Sequence, residues 1–150
     1  MDEYGLKPHQ LKLEITESLA LVGIERAKEV LETLRVTGFL LSLDDFGTGY
    51  SSLSLLHNLP VHELKIDMSF VRRFENQDGQ IMLETIAAMG HSLGLELVAE
   101  GVETQECVQA MCDLGVEKLQ GYYFSKPLPW EEVAKLYGSC ADNFSLQVRS

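Results

Sequence analysis

The 150 residues contain no apolar run near the roughly 18 residues that cross a bilayer, which excludes a membrane-spanning helix. The first residues carry no secretory signal pattern. Cysteine is scarce. Cys107, Cys112 and Cys140 are odd in number and lack metal-type pairing, so neither a disulfide framework nor a zinc site is expected. A reducing, cytoplasmic setting follows as the expected location. Basic residues are also few: 12 Lys and Arg against 23 Asp and Glu, a net charge of −11. That balance excludes polymeric nucleic acid as a partner, because phosphate backbones are bound by basic surfaces. It leaves room for a small phosphate ligand, since clustered carboxylates hold divalent metals and the metals attract phosphate. No low-complexity segment and no internal linker interrupts the chain. What remains is a composition of 45% hydrophobic and 23% charged residues, ordinary for one soluble domain with its own core.

The chain is organised around the stretch from Ser42 to Ser52, Ser-Leu-Asp-Asp-Phe-Gly-Thr-Gly-Tyr-Ser-Ser. The apolar run Phe39–Leu43 reads as a strand, ended by the adjacent carboxylates Asp44 and Asp45. Such neighbours repel unless a cation sits between them. Taken alone, the stretch is equally an ordinary strand-end turn, because Asp and Gly are common turn residues. Four more segments read as strands: Leu11–Ile15, Glu63–Asp67, Glu96–Glu100 and Glu117–Gln120. Helical spacing is predicted over Ile24–Val36, Ser51–Leu59, Gln80–Leu93, Thr104–Leu114 and Pro129–Tyr137. Strands alternating with helices make βαβ units and a parallel sheet, here about five units over residues 1–138 with a polar tail over 139–150.

Period-two alternation gives every strand an apolar face and a polar face. Leu11, Leu13 and Ile15 oppose Lys12 and Glu14; Leu41 and Leu43 oppose Ser42 and Asp44; Leu64 and Ile66 oppose Glu63, Lys65 and Asp67. A doubly wound sheet would need both faces apolar. A barrel fits better: helices outside, a polar interior within. Glu14, Asp44, Lys65, Glu100 and Gln120 then gather at the C-terminal ends of five strands, the rim on which (β/α) barrels build active sites. Three of them are carboxylates and Asp45 adds a fourth, an oxygen-rich set suited to Mg²⁺ or Mn²⁺. The alternative is that the interior charges pair among themselves, Lys65 with an acid and Lys118 with Glu96. His9, His57, His62 and His91 fall outside the set, and Tyr122, Tyr123 and Phe124 read as packing residues before they read as a stacking platform for a guanine.

Five motifs, in order, carry a resemblance: Leu13-Glu14-Ile15-Thr16-Glu17-Ser18, the Asp44–Tyr50 stretch, Leu64-Lys65-Ile66-Asp67, Ala99-Glu100-Gly101-Val102-Glu103-Thr104 and Gln120-Gly121-Tyr122. From about Leu6 to Leu136 the chain resembles the C-terminal part of an EAL domain, the cyclic di-GMP phosphodiesterase module of bacterial signalling proteins. The resemblance implies a partial (β/α) barrel that hydrolyses cyclic di-GMP to pGpG with two Mg²⁺ or Mn²⁺ ions. It implies Glu14, Asp44, Asp45 and Glu100 as metal ligands, and Glu100, Lys65 and Gln120 as catalytic residues, with Glu100 as base and Lys65 and Gln120 also on the substrate. It casts Glu17, Glu103, Gly47 and Gly49 as supports of a mobile loop. The parent protein is expected to carry sensory or GGDEF domains. These 150 residues hold no Glu-Ala-Leu tripeptide, the family's first metal-binding Glu, and none of the Asn ligand that follows it. Impaired hydrolysis is therefore expected of this chain, with a non-catalytic nucleotide-binding or protein-interaction module as the alternative. Five strands do not close an eight-stranded barrel, so a homodimer or larger species through open sheet edges is also expected.

Overall fold

The computed structural model describes residues 5–16, 24–47 and 53–140. After a short 3₁₀ turn at Pro8–Gln10 come β1 (Lys12–Thr16), α1 (Ile24–Thr37), β2 (Leu40–Phe46), α2 (Leu53–Asn58), β3 (Glu63–Ile66), α3 (Met68–Val71), α4 (Gln77–Ser92), β4 (Glu96–Glu100), α5 (Gln105–Asp113), β5 (Lys118–Gln120) and α6 (Trp130–Cys140). The strands form one parallel sheet in the order β1-β2-β3-β4-β5, so each βα unit lays its strand beside the one before. The five expected strands are all present, and α6 runs to Cys140, two residues into the stretch 139–150 expected as a polar tail. Helix α3 was not foreseen. It is four residues long, and its start is fixed by Asp67, whose Oδ1 accepts from the Ser69 N–H at 2.9 Å. Thr104, the first residue of the predicted helix, caps α5, its hydroxyl accepting from Cys107 N–H at 3.2 Å.

The apolar faces build the core. Leu41, Leu43, Leu64, Ile66, Leu97 and Ala99 are fully buried in the sheet, against Leu31 of α1, Val71 of α3, Leu83 and Ile86 of α4, and Cys107 and Met111 of α5. Removing such side chains from water drives the fold at roughly 25 cal/mol per Å².

One strand departs from simple alternation. The sequence predicts the end of β2 at Leu43, and the strand runs on to Phe46. Leu43 pairs with Leu64 but Phe46 with Ile66, so three steps along β2 match two along β3. The extra residue makes a bulge, and Asp45 there has a left-handed φ of 57°. The bulge turns Phe46 from the polar side into the core, where it is 5% exposed.

The opposite face is concave and polar. Near its N-terminal end the carboxylate of Glu63, 2% exposed, is held from both edges of the sheet. Lys12 of β1 donates to its Oε2, Lys118 of β5 reaches the same oxygen at 3.2 Å, and Ser42 Oγ donates to Oε1 at 2.9 Å. Side chains from β1 and β5 meeting over the middle strand require the sheet to curl, as part of a barrel wall does. Burial pushes the Glu63 carboxyl up, the hydrogen bonds from Lys12, Ser42 and Lys118 pull it down, and the net is a lowered pKa. Lys118 also pairs with Glu96 at 2.6 Å, as the self-pairing alternative expected.

Candidate active site

At the C-terminal end of the same face stands Lys65, its side chain 7% exposed. Strand alternation points it away from the core-facing Leu64 and Ile66. Its ammonium meets Glu100 Oε1 of β4 at 2.8 Å, Asp44 Oδ1 of β2 at 3.0 Å and Glu14 Oε2 of β1 at 3.1 Å. Burial alone would lower the Lys65 pKa. The close carboxylates of Glu100, Asp44 and Glu14 outweigh it, and the pKa is raised well above the ordinary 10.5. The lysine is therefore a cation held among acids at the end of the sheet.

Asp44 Oδ1 is buried and, apart from its 3.0 Å contact with Lys65, meets no hydrogen-bond donor. A buried acceptor of this kind suits a hard cation in its chemistry. Among the described residues, however, no three Asp, Glu, His or Cys side chains are grouped to hold one ion. The three acids that meet here meet on Lys65. The residues thus fit a divalent cation in the chemistry of their donors and not in their grouping, with Asp44 as the best-prepared single ligand.

The remaining expected site residues lie around this recess. Asp45 is exposed at the bulge, outside the carboxylates gathered on Lys65. Gln120 ends β5 in register with Glu100 and lines a cavity of about 240 Å³ next to it. Glu103 is half exposed and pairs with Arg72 at 2.7 Å. Gly47 leaves β2 with φ 96°, and a Cβ there would sit 2.6 Å from the Phe70 ring of α3. Glu17 and Gly49 lie outside the described residues. Arg72 and Met68, on the cavity wall, were missed from the sequence. Only α3 brings them there, and its signal was the Asp67 cap. Tyr122, Tyr123 and Phe124 stay out of the core, at 60%, 42% and 54% exposed, and Tyr123 packs edge-on against Phe124. The four histidines stay outside the set, and His62 instead accepts the Leu41 N–H at 3.1 Å.

Residues 1–127 match the EAL domain family model. The oxygen sensor protein DosP of Escherichia coli is 46% identical over 134 residues, 89% of this chain and 17% of that protein. The cyclic di-GMP phosphodiesterase NbdA of Pseudomonas aeruginosa is 42% identical over 130 residues, 86% of this chain and 17% of that protein. Among solved structures, the EAL domain of Mycobacterium smegmatis DcpA aligns with a TM-score of 0.86 and 41% identity, covering 93% of this chain and 63% of that one. The Pseudomonas aeruginosa MucR phosphodiesterase in complex with cyclic di-GMP aligns with a TM-score of 0.83 and 41% identity, over 87% of this chain and 53% of that one. Klebsiella pneumoniae BlrP1, in a manganese and cyclic di-GMP complex, gives a TM-score of 0.77 and 36% identity, over 83% and 32%. The chain thus spans about a sixth of these curated relatives and between a third and two thirds of these solved chains.

Proposed function

The chain belongs to the EAL domain family, and from that membership we propose that it supplies the Lys65 side of a metal-dependent phosphodiesterase site for cyclic di-GMP. The observation that carries the reading is the meeting of Glu14, Asp44 and Glu100 on the buried ammonium of Lys65, at the C-terminal ends of parallel strands. The cyclic di-GMP complexes of MucR and BlrP1 support the substrate, and the manganese in the latter supports a divalent ion.

In this reading Asp44, with Glu14 and Glu100, would hold Mg²⁺ or Mn²⁺, with Asp45 at the rim. The ion would supply polarisation of a phosphoryl oxygen and a lowered pKa of water. Lys65 offers its fixed charge to the phosphate oxygens as charge builds up on them. Glu100 accepts the proton of the attacking water, and Gln120 steadies the substrate beside it. One P–O bond to the water oxygen forms, one P–O bond to a sugar breaks, the departing sugar oxygen takes a proton from solvent, and the product is the linear pGpG.

A second reading, binding without hydrolysis, is favoured by one observation: among the described residues the acids face Lys65 and not a common metal position. Incubation of the chain with cyclic di-GMP and Mn²⁺ or Mg²⁺, followed by chromatography, separates the two. Slow formation of pGpG is expected, and Lys65→Ala should cut it by about 10²–10³ while changing affinity little. Near-normal turnover in that variant removes Lys65 from the chemistry. Retained binding with no pGpG under either metal selects the second reading.

A further inference from the structure

The strands bring polar side chains to the concave face in pairs, and the pairs form two layers. β1 gives Lys12 and Glu14, β2 gives Ser42 and Asp44, β3 gives Glu63 and Lys65, and β5 gives Lys118 and Gln120. β4 gives Glu96 and Glu100, with Val98 between them. The second members make up the candidate site. The first members form a layer beneath it, roughly 7 Å nearer the N-terminal ends of the strands. The lower layer inverts the upper one. Above, one lysine gathers three carboxylates. Below, one carboxylate gathers two lysines and a hydroxyl.

The chemistry proposed above makes no use of the lower layer, yet the centre of that layer is buried: Glu63 is 2% exposed and Ser42 0%. A buried carboxylate is costly unless its charge is met. Here both oxygens are engaged, Oε2 by Lys12 and Lys118 and Oε1 by Ser42. The two lysines come from opposite edges of the sheet. On a flat sheet β1 and β5 would each stand two strand spacings, roughly 10 Å, from β3. A single oxygen that takes both ammonium groups draws both edges in over the middle strand.

The upper layer depends on that pull. Three carboxylates against one ammonium leave it two negative charges in excess, and like charges push the strand ends apart. β1 yields most easily, because among the described residues it pairs only with β2. Glu14 is carried on β1 two residues beyond Lys12, so its 3.1 Å contact with Lys65 depends on where that strand stands. Gln120 is carried in the same way on β5, two residues beyond Lys118 and in register with Glu100. We propose that Glu63 is a positioning residue of the site: by clasping Lys12 and Lys118 it holds β1 and β5 curled over β3, and so sets Glu14 on Lys65 and Gln120 beside Glu100. The inference rests on the phosphodiesterase reading for the reaction that this geometry serves.

Brief acetylation of the folded 150-residue chain, read lysine by lysine by mass spectrometry, tests it. Lys65 is shielded in the wild type, with 7% of its side chain exposed. Glu63→Met fills similar space and offers no anionic acceptor. It should raise the labelling rate of Lys65 by about tenfold or more, as the edge strands open. Met111→Ala weakens the core under α5 and leaves the polar face untouched, so it controls for lost stability and should keep Lys65 shielded. Lys12→Met should expose Lys65 as well, and Lys12→Arg, which still reaches the carboxylate, should not. These two variants keep Glu63 in place and decide the matter if Glu63→Met does not fold. Equal labelling of Lys65 in Lys12→Met, Lys12→Arg and Met111→Ala overturns the clasp and leaves the phosphodiesterase reading standing. A wild-type chain that neither binds nor cleaves cyclic di-GMP overturns that reading instead, and the positioning role falls with it.

Discussion

Lys65 holds three carboxylates that would otherwise repel one another, and that makes its replacement informative. Its pKa is raised in the fold. A raised basic pKa stabilises fully at every pH below the ordinary 10.5, and the contribution is lost only as pH climbs through the folded value. The lysine itself therefore adds no pH dependence between neutral and acid. Lys65→Met leaves Glu14, Asp44 and Glu100 facing one another without a cation. Breaking a buried pair in this way costs about 3–5 kcal/mol. The melting temperature of Lys65→Met at neutral pH should therefore fall several degrees below that of wild type, and equal melting temperatures would refute the account. Mn²⁺ should restore part of the loss at neutral pH, and Asp44→Ala should remove that rescue. The meeting of these residues was legible from alternation alone, since Glu14, Asp44, Lys65 and Glu100 occupy the polar phase of their strands. The choice of Lys65 as the point where the acids meet was not, because alternation gives a face and not a distance.

At the scale of elements, the period-two reading succeeded wherever strands were regular and failed at the bulge of β2. Strict alternation from Leu41 and Leu43 would put Phe46 with Ser42 and Asp44, yet it lies in the core. A bulge costs one residue of register and leaves no mark in a hydrophobic pattern, beyond the Asp-Asp-Phe-Gly composition that also reads as a turn. Helix α3 was hidden for a related reason: four residues are too few for a helical period to show. These two unforeseen features touch. Gly47, directly after the bulge, lies under the ring of Phe70 from α3, with φ 96°. Gly47→Ala meets two costs, about 1–2 kcal/mol for a left-handed alanine and the contact with the ring. Phe70→Ala in that background should relieve the contact and not the dihedral strain. A double-mutant cycle by chemical denaturation should then show a coupling of roughly 0.5–3 kcal/mol, and additivity within about 0.5 kcal/mol would mean that the loop base and α3 are independent.

For the whole molecule the question is what the two ends of the sheet do. β1 pairs only with β2, and β5 only with β4, so among the described residues neither outer strand has a second neighbour. Unpaired N–H and C=O rows invite another strand. Directly after β5, Tyr122 and Phe124 are exposed, which adds apolar surface to that side. Against association stands charge: each copy carries −11, and like charges oppose contact until salt screens them. Lys12 and Lys118, which could have blunted the edges, are turned inward to Glu63. Edge pairing that is short-ranged and repulsion that is long-ranged predict a definite salt response. The 150-residue chain should be a dimer or larger species at micromolar concentration. Its associated fraction should rise between about 10 mM and about 1 M salt, as the screening length falls from about 30 Å to about 3 Å. A two-fold contact between like edges closes one edge per copy, whereas β1 against β5 of a second copy repeats head to tail and grows. Light scattering separates these outcomes by mass. A stable species of 16.8 kDa at every salt concentration would refute edge pairing altogether.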